Sequence, residues 1–169
     1  MQTDTPLYSE KQRFRHWWIW VLALAAPAWL LAIIFQQILS NSPSSSAVIT
    51  NLTLLLGLVL SSAIPIFLYF TGLDTEVRSE GIYIRFRPFH RAWIVLDFKN
   101  IQQIESVTYS PLKEYGGWGI RYGKKGKAYN VSGNRGVYLT LREGTNILIG
   151  SQNSDALCSV IVEHHSKEK

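Results

Sequence analysis

The sequence predicts an α+β membrane protein: a two-helix transmembrane hairpin followed by a small antiparallel β domain that one C-terminal helix closes. Three observations predict it. No Asp, Glu, Lys or Arg occurs from Trp17 to Leu73, and that run holds two apolar blocks. After Phe70 apolar and polar residues alternate, the period of half-buried strands. From Ser154 the apolar spacing becomes that of an amphipathic helix.

Residues 1–16 read as a cytoplasmic leader. Ser9-Glu10-Lys11-Gln12 has capping-box spacing, which predicts a helix that starts there and runs through Arg13, Phe14 and Arg15 into the apolar run. The hairpin occupies residues 17–71, with helices over about 17–39 and 48–70. A hydrocarbon core about 30 Å thick needs about 20 residues of helix, and each block meets that length. The first block is too long and too rich in Trp for a cleaved signal peptide, and a second span follows it. Trp17, Trp18 and Trp20 fall where an interfacial aromatic belt belongs. Lys11, Arg13 and Arg15 flank the first span, whereas the loop Ser40–Ser46 carries no charge. The positive-inside rule then puts both termini in the cytoplasm, in a multi-pass protein of the cell inner (plasma) membrane. Pro27 and Pro65 interrupt the spans as tolerated kinks, because no charged residue marks an ion path beside them. Ala28/Ala32 and Gly57/Ser61, small residues four apart, let the helices approach closely.

Residues 72–169 form the soluble domain, with fourteen Lys/Arg against ten Asp/Glu. A basic surplus beside a membrane suits anionic head groups. Strands are expected at Leu73–Val77, Ile82–Phe86, Ala92–Leu96, Ile104–Tyr109, Trp118–Tyr122, Ala128–Val131, Val137–Leu141 and Ile147–Ile149. Glu80-Gly81, Lys125-Gly126 and Glu143-Gly144 read as hairpin turns, and such short connections favour antiparallel neighbours. In the last helix Leu157, Val160, Ile161 and His164 share one face and Cys158 sits beside it.

Seven or eight antiparallel strands closed by a C-terminal helix look like the pleckstrin-homology superfold, a bent barrel whose open corner the helix plugs. The stretch Tyr109–Gly123, with Ala128–Gly136 after it, resembles an uncharacterised family of bacterial membrane proteins that carry a pleckstrin-homology-like domain after two spans. The resemblance covers most of the chain and implies fold and location, with no reaction to carry over. Eukaryotic relatives bind phosphoinositides through basic residues around the first hairpin. Arg85, Arg87 and Arg91 lie near that hairpin here and become lipid-contact candidates.

No reaction chemistry is spelled out. Gly117-Trp118-Gly119 continues to Gly123, one position too far for G-x-G-x-x-G, and Gly123-Lys124 and Gly126-Lys127 lack the glycine of a Walker sequence. His164 and His165 are adjacent and diverge by about 100° on a helix, so they do not share a metal. No G-x-S-x-G elbow is present. The expectation is no catalytic residue, no metal, no cofactor, no small-molecule substrate and no nucleic acid. Residues 109–136 hold seven glycines and five Tyr/Trp in 28 positions, interleaved with Lys and Arg. They form either an elaborate hairpin with Trp118 in the core, or a binding loop on a rigid scaffold. On the second reading Tyr115 and Arg121 face a partner while Trp118 lies beneath them. Lys124, Lys125 and Lys127 form a basic tip, either solvated or in contact with anionic lipid. The function expected is a non-enzymatic binding or assembly module for a protein partner or a second copy, with lipid contact secondary. The alternatives are an anionic-lipid sensor or an enzyme with its site in 109–136.

Overall fold

The computed structural model describes residues 5–40 and 47–167 of the chain, in two compact units: Arg15–Phe70, and Met1–Phe14 together with Thr71–Lys169.

The first unit is two helices, α1 (Trp17–Ser40) and α2 (Ala47–Phe70), each 24 residues long. Both are long and apolar enough to cross a membrane. At about 1.5 Å per residue each reaches roughly 36 Å. Most of the loop expected over Ser40–Ser46 lies outside the described residues. The large apolar side chains point outward along both rods, among them Leu22, Phe35, Leu60 and Phe70. Pro27 and Pro65 are buried and line the groove between the helices with Ala28, Ser62 and Tyr69. Hydroxyls are satisfied within their own helix: Ser40 Oγ donates to Gln36 O at 2.6 Å and Thr53 Oγ1 to Ile49 O at 2.9 Å.

The second unit packs two sheets and a helix. Sheet one is a meander in the order β1 (Tyr8–Arg13), β2 (Gly72–Arg78), β3 (Gly81–Arg87), β4 (Ile94–Asp97), antiparallel throughout. Sheet two has the order β5 (Ile101–Thr108), β8 (Arg135–Leu141), β9 (Asn146–Gly150), β7 (Gly126–Asn130), β6 (Gly119–Gly123). A short helix α3 (Pro111–Tyr115) precedes β6, and α4 (Ser154–Lys167) packs on β5 and β8. The alternating residues Leu73, Val77, Ile82, Ile84 and Phe86 of sheet one meet Val137, Leu139, Ile147 and Ile149 of sheet two, with Leu157 and Ile161 of α4. Tyr109, Tyr115, Ala128 and Leu148 make a second cluster.

Two expectations are corrected. The leader does not start a helix at Ser9: Tyr8–Arg13 is a strand, paired with β2 from Tyr8↔Val77 to Arg13↔Gly72. Residues up to Phe14 therefore cluster with the second unit, and the helical hairpin is inserted between two neighbouring strands of one sheet. The capping box loses because Gln12 is fully buried, with Nε2 donating to Gly150 O at 2.6 Å, and the Glu10 carboxylate accepts from Ser151 Oγ and Gln152 N. Only an extended chain sends Glu10 and Gln12 to the same side. Secondly, the strands are not all antiparallel neighbours, since β7 and β9 run parallel. The β7–β8 connection is short, yet β8 pairs along β5 from Ile101↔Leu141 to Thr108↔Arg135. That long ladder draws β8 away from β7, and β9 fills the space between them.

Candidate functional site

The loop region is organised around Tyr115. The helix α3 starts at Pro111, whose missing N–H costs nothing in a first turn, and ends at Gly116 with φ 71°. This folds Tyr115 inward: it is buried and meets Tyr109 edge to face at 5.9 Å. Burial, with Tyr138 close by, pushes its hydroxyl up to about 12. The expected exposure of Tyr115 is thus corrected. Trp118 is only half-buried, and its indole Nε1 donates to Gly133 O at 3.1 Å. It lies outside both core clusters because the two glycines before it carry it past the end of α3. Arg121 is exposed, with Nε donating to Trp118 O at 3.0 Å. The sequence overlooks Leu112 and Tyr122, which are 65 % and 76 % exposed on α3 and β6. The five-residue helix was the missing signal: it turns Tyr115 into the core while Leu112 stays exposed.

The basic tip does not converge. Lys124 is exposed, whereas Lys125 Nζ is held 2.7 Å from Glu114 Oε2, a pair that lowers the Glu114 carboxyl and raises the Lys125 amine. Lys127 lies over the rings of Tyr129 at 4.8 Å and Tyr122 at 5.3 Å. Burial pulls its amine down, but bonds to the two tyrosines outweigh that and raise it.

The residues that do converge lie on sheet one. Asp74 is 1 % exposed, and three arginines surround it. Arg85 Nη2 donates to Oδ2 at 3.2 Å, and Arg87 donates through Nη2 to Oδ1 at 2.9 Å, with Nε 2.8 Å from Oδ2. Arg13 Nη1 stands 3.7 Å from Oδ1. Of the three arginines among the expected lipid contacts, Arg85 and Arg87 join here, while Arg91 is exposed and makes none of these ion pairs. Arg13 and Asp74 were not legible as partners, because the strand that aligns them was read as helix. Arg85 also stacks on Trp93 at 4.4 Å, and Arg78 on Tyr83 at 4.5 Å. This layering of cations and rings stiffens side chains that are otherwise floppy.

Among the described residues no group of three or more His, Cys, Asp or Glu could hold a metal ion. Cys158 is half-buried against the core, and burial raises its thiol, so it stays protonated and inert.

No curated protein matches the chain. A family profile does match, over residues 2–166, nearly the whole length on which the split sheet, the hairpin and the arginine cluster lie. The chain belongs to that family, DUF6141, a family of unknown function.

Proposed function

We propose that the protein is a membrane-anchored, non-enzymatic binding module that presents a pleckstrin-homology-like domain at the cytoplasmic face of the inner membrane. One observation carries the reading. Strands β1 and β2 pair residue for residue, yet the whole apolar hairpin lies between them in sequence. A sheet cannot close across a bilayer, so both flanks of the hairpin share one side. Lys11, Arg13 and Arg15 on the N-terminal flank support the cytoplasm as that side. The pleckstrin-homology-like reading is supported by a four-stranded meander, the antiparallel strands β5, β8 and β9, and the helix α4 packed on β5 and β8. The segment α3–β6–β7 is then an addition between β5 and β8.

A protein partner fits the α3–β6 surface, where Leu112, Arg121 and Tyr122 are exposed together. Tyr and Arg dominate interface hot spots when a neighbouring apolar group excludes water. The test places single cysteines at Ser44 and Ser166 in a Cys158→Ala background and applies an impermeant thiol reagent to intact cells. Labelling at Ser44 alone is the expected result; labelling at Ser166 alone overturns the topology. Co-purification from mild detergent, compared between the natural chain and Leu112→Ser/Tyr122→Ser, reads the partner face.

A further inference from the structure

Four strands lie at the ends of the two sheets: β1 and β4 of sheet one, β5 and β6 of sheet two. An uncovered edge is a row of unpaired N–H and C=O groups that templates another strand. Strand β1 is tied to residues 150–152 through Glu10 and Gln12, β5 lies under α4, and β4 stops after four residues. Among the described residues nothing similar covers β6 from Gly119 to Tyr122. A Cβ built at Gly116 meets no described atom within 4 Å, and one at Gly119 meets only the Arg121 guanidinium. The helix α3 closes over the strand at Gly123, where a Cβ would strike Glu114 O and the Tyr115 ring.

The two-residue turn Lys124-Lys125 makes Gly123↔Gly126 the closing, hydrogen-bonded pair of the β6–β7 hairpin. Antiparallel alternation then directs the backbone of Arg121 and Gly119 to β7, and that of Ile120 and Tyr122 to the open side. Gly119 N agrees, donating across the pair to Asn130 Oδ1 at 2.9 Å. Side chains alternate too: Arg121 stands on one face, Ile120 and Tyr122 on the other. From Pro111 to Lys127 the chain carries five Lys/Arg and one acidic residue, Glu114, which Lys125 already holds. That charge argues against a second copy, because two β6 edges side by side would set like cations against each other. It suits an acidic strand.

We infer that the β6 edge takes up an extended acidic segment of a partner protein, which adds to the five-stranded sheet antiparallel to β6. The inference names the partner of the α3–β6 surface and rests on that reading. The hairpin β6–β7 belongs to the segment added between β5 and β8, so this edge is not one that a pleckstrin-homology-like core supplies. Backbone bonds to Ile120 and Tyr122 give affinity, and alternate side chains give selection. Carboxylates of the added strand meet Arg121, and apolar residues between them lie over Ile120 and Tyr122.

The experiment uses the full chain in detergent micelles and a labelled synthetic peptide, Glu-Val-Glu-Val-Glu with both ends blocked, read by fluorescence anisotropy. The natural chain binds it more tightly than Lys-Val-Lys-Val-Lys. Methyl groups on the Val amides, which face β6, weaken binding about tenfold, the factor for two lost backbone bonds. Methyl groups on the Glu amides, which face away, leave it. Arg121→Glu weakens binding of the acidic peptide about tenfold and lets the basic one bind instead. Tyr122→Pro removes one outward N–H where an edge strand tolerates proline, and weakens binding about fivefold. The methylated peptides leave the chain untouched, so they decide the matter if that variant fails to fold. Equal binding of the acidic and basic peptides overturns the inference, as does equal binding of the Val-methylated and unmodified peptides. A sedimentation mass that doubles in the natural chain and not in Tyr122→Pro makes a second copy the occupant and overturns it too. Co-purification of a partner that is lost in Leu112→Ser/Tyr122→Ser, while no peptide binds, overturns strand addition alone. Co-purification untouched by that variant overturns the reading of the surface itself.

Discussion

The hairpin α1–α2 and the strand β1 just before it are adjacent in sequence but are organised by opposite means. Each helix closes its hydrogen bonds within itself, and its apolar surface follows from composition alone. Strand β1 closes nothing within itself. Its six residues find their partners at Gly72–Val77, and Glu10 and Gln12 reach as far as Gly150–Gln152. Sequence-local forces make the hairpin, and contacts about sixty to one hundred and forty residues away make the strand. The practical lesson concerns domain boundaries: the most conspicuous segment of the chain is an insertion, and the inconspicuous leader is part of the folded core.

The largest expected effects follow from that contrast. A chain of residues 71–169 alone lacks β1 and leaves β2 as a bare edge, with Asp74 short of Arg13. It is expected to lose most of the 5–15 kcal/mol that typically holds a small domain. A chain in which a short Gly-Ser linker joins Phe14 directly to Thr71 is expected to fold, because Arg13 and Gly72 are already cross-strand neighbours. Amide dispersion in proton–nitrogen spectra separates the two. A dispersed spectrum from 71–169 alone would show that β1 is an ornament. Leu139→Asp, at a fully buried position on β8, serves as the benchmark, with a loss of several kcal/mol.

The same contrast recurs on a smaller scale in the α3–β6 region. Tyr115 is placed by packing against Tyr109 and the distant Leu148, whereas among the described residues Arg121 bonds only to a backbone oxygen three residues away. Tyr115→Ala is expected to cost about 3 kcal/mol, as buried aromatic truncations do. Trp118→Ala removes a half-exposed ring and its hydrogen bond to Gly133 O, about 1 kcal/mol. Arg121→Ala stays within about 0.5 kcal/mol, as surface changes usually do. Urea titrations of the linked domain rank the three. The order Trp118, then Tyr115, would restore the opposite assignment of core and surface.

How much of this was legible in the sequence divides along the same line. Both helices, eight of the strands and α4 were readable, because length and alternation are local signals. Strand β1 was not, since Ser9-Glu10-Lys11-Gln12 satisfies a local capping pattern that a distant partner overrides. Nor was the parallel pair β7–β9, which depends on β5 holding β8 elsewhere. Of the site, Arg85 and Arg87 were visible as basic strand residues. Their convergence was not, because Asp74 and Arg13 become neighbours only through the register of β1 on β2.

The smallest effect expected is a dependence on pH, and it sharpens the contrast at a single residue. His90 follows β3, and its Nδ1 accepts from Phe86 N at 3.2 Å, a local bond. Its ring also meets Tyr129 of β7 at 5.8 Å, a contact between the two sheets, and Lys127 of the same strand lies nearby. Burial first, and the Lys127 charge second, hold the imidazole below its ordinary value of 6.5. Between that lowered value and 6.5 the unfolded chain holds a proton that the folded one does not, so stability rises with pH across the interval. Melting temperatures of the linked domain are therefore expected to fall modestly from pH 7.5 to 5.5, before the carboxylates titrate. His90→Asn keeps an acceptor for Phe86 N and removes the titration, so it is expected to flatten the slope. Lys127→Gln removes the charge contributed by the second sheet and is expected to flatten it in part. A slope untouched by Lys127→Gln but abolished by His90→Asn would assign the shift to burial alone, and the two sheets would then meet at this point without electrostatic coupling.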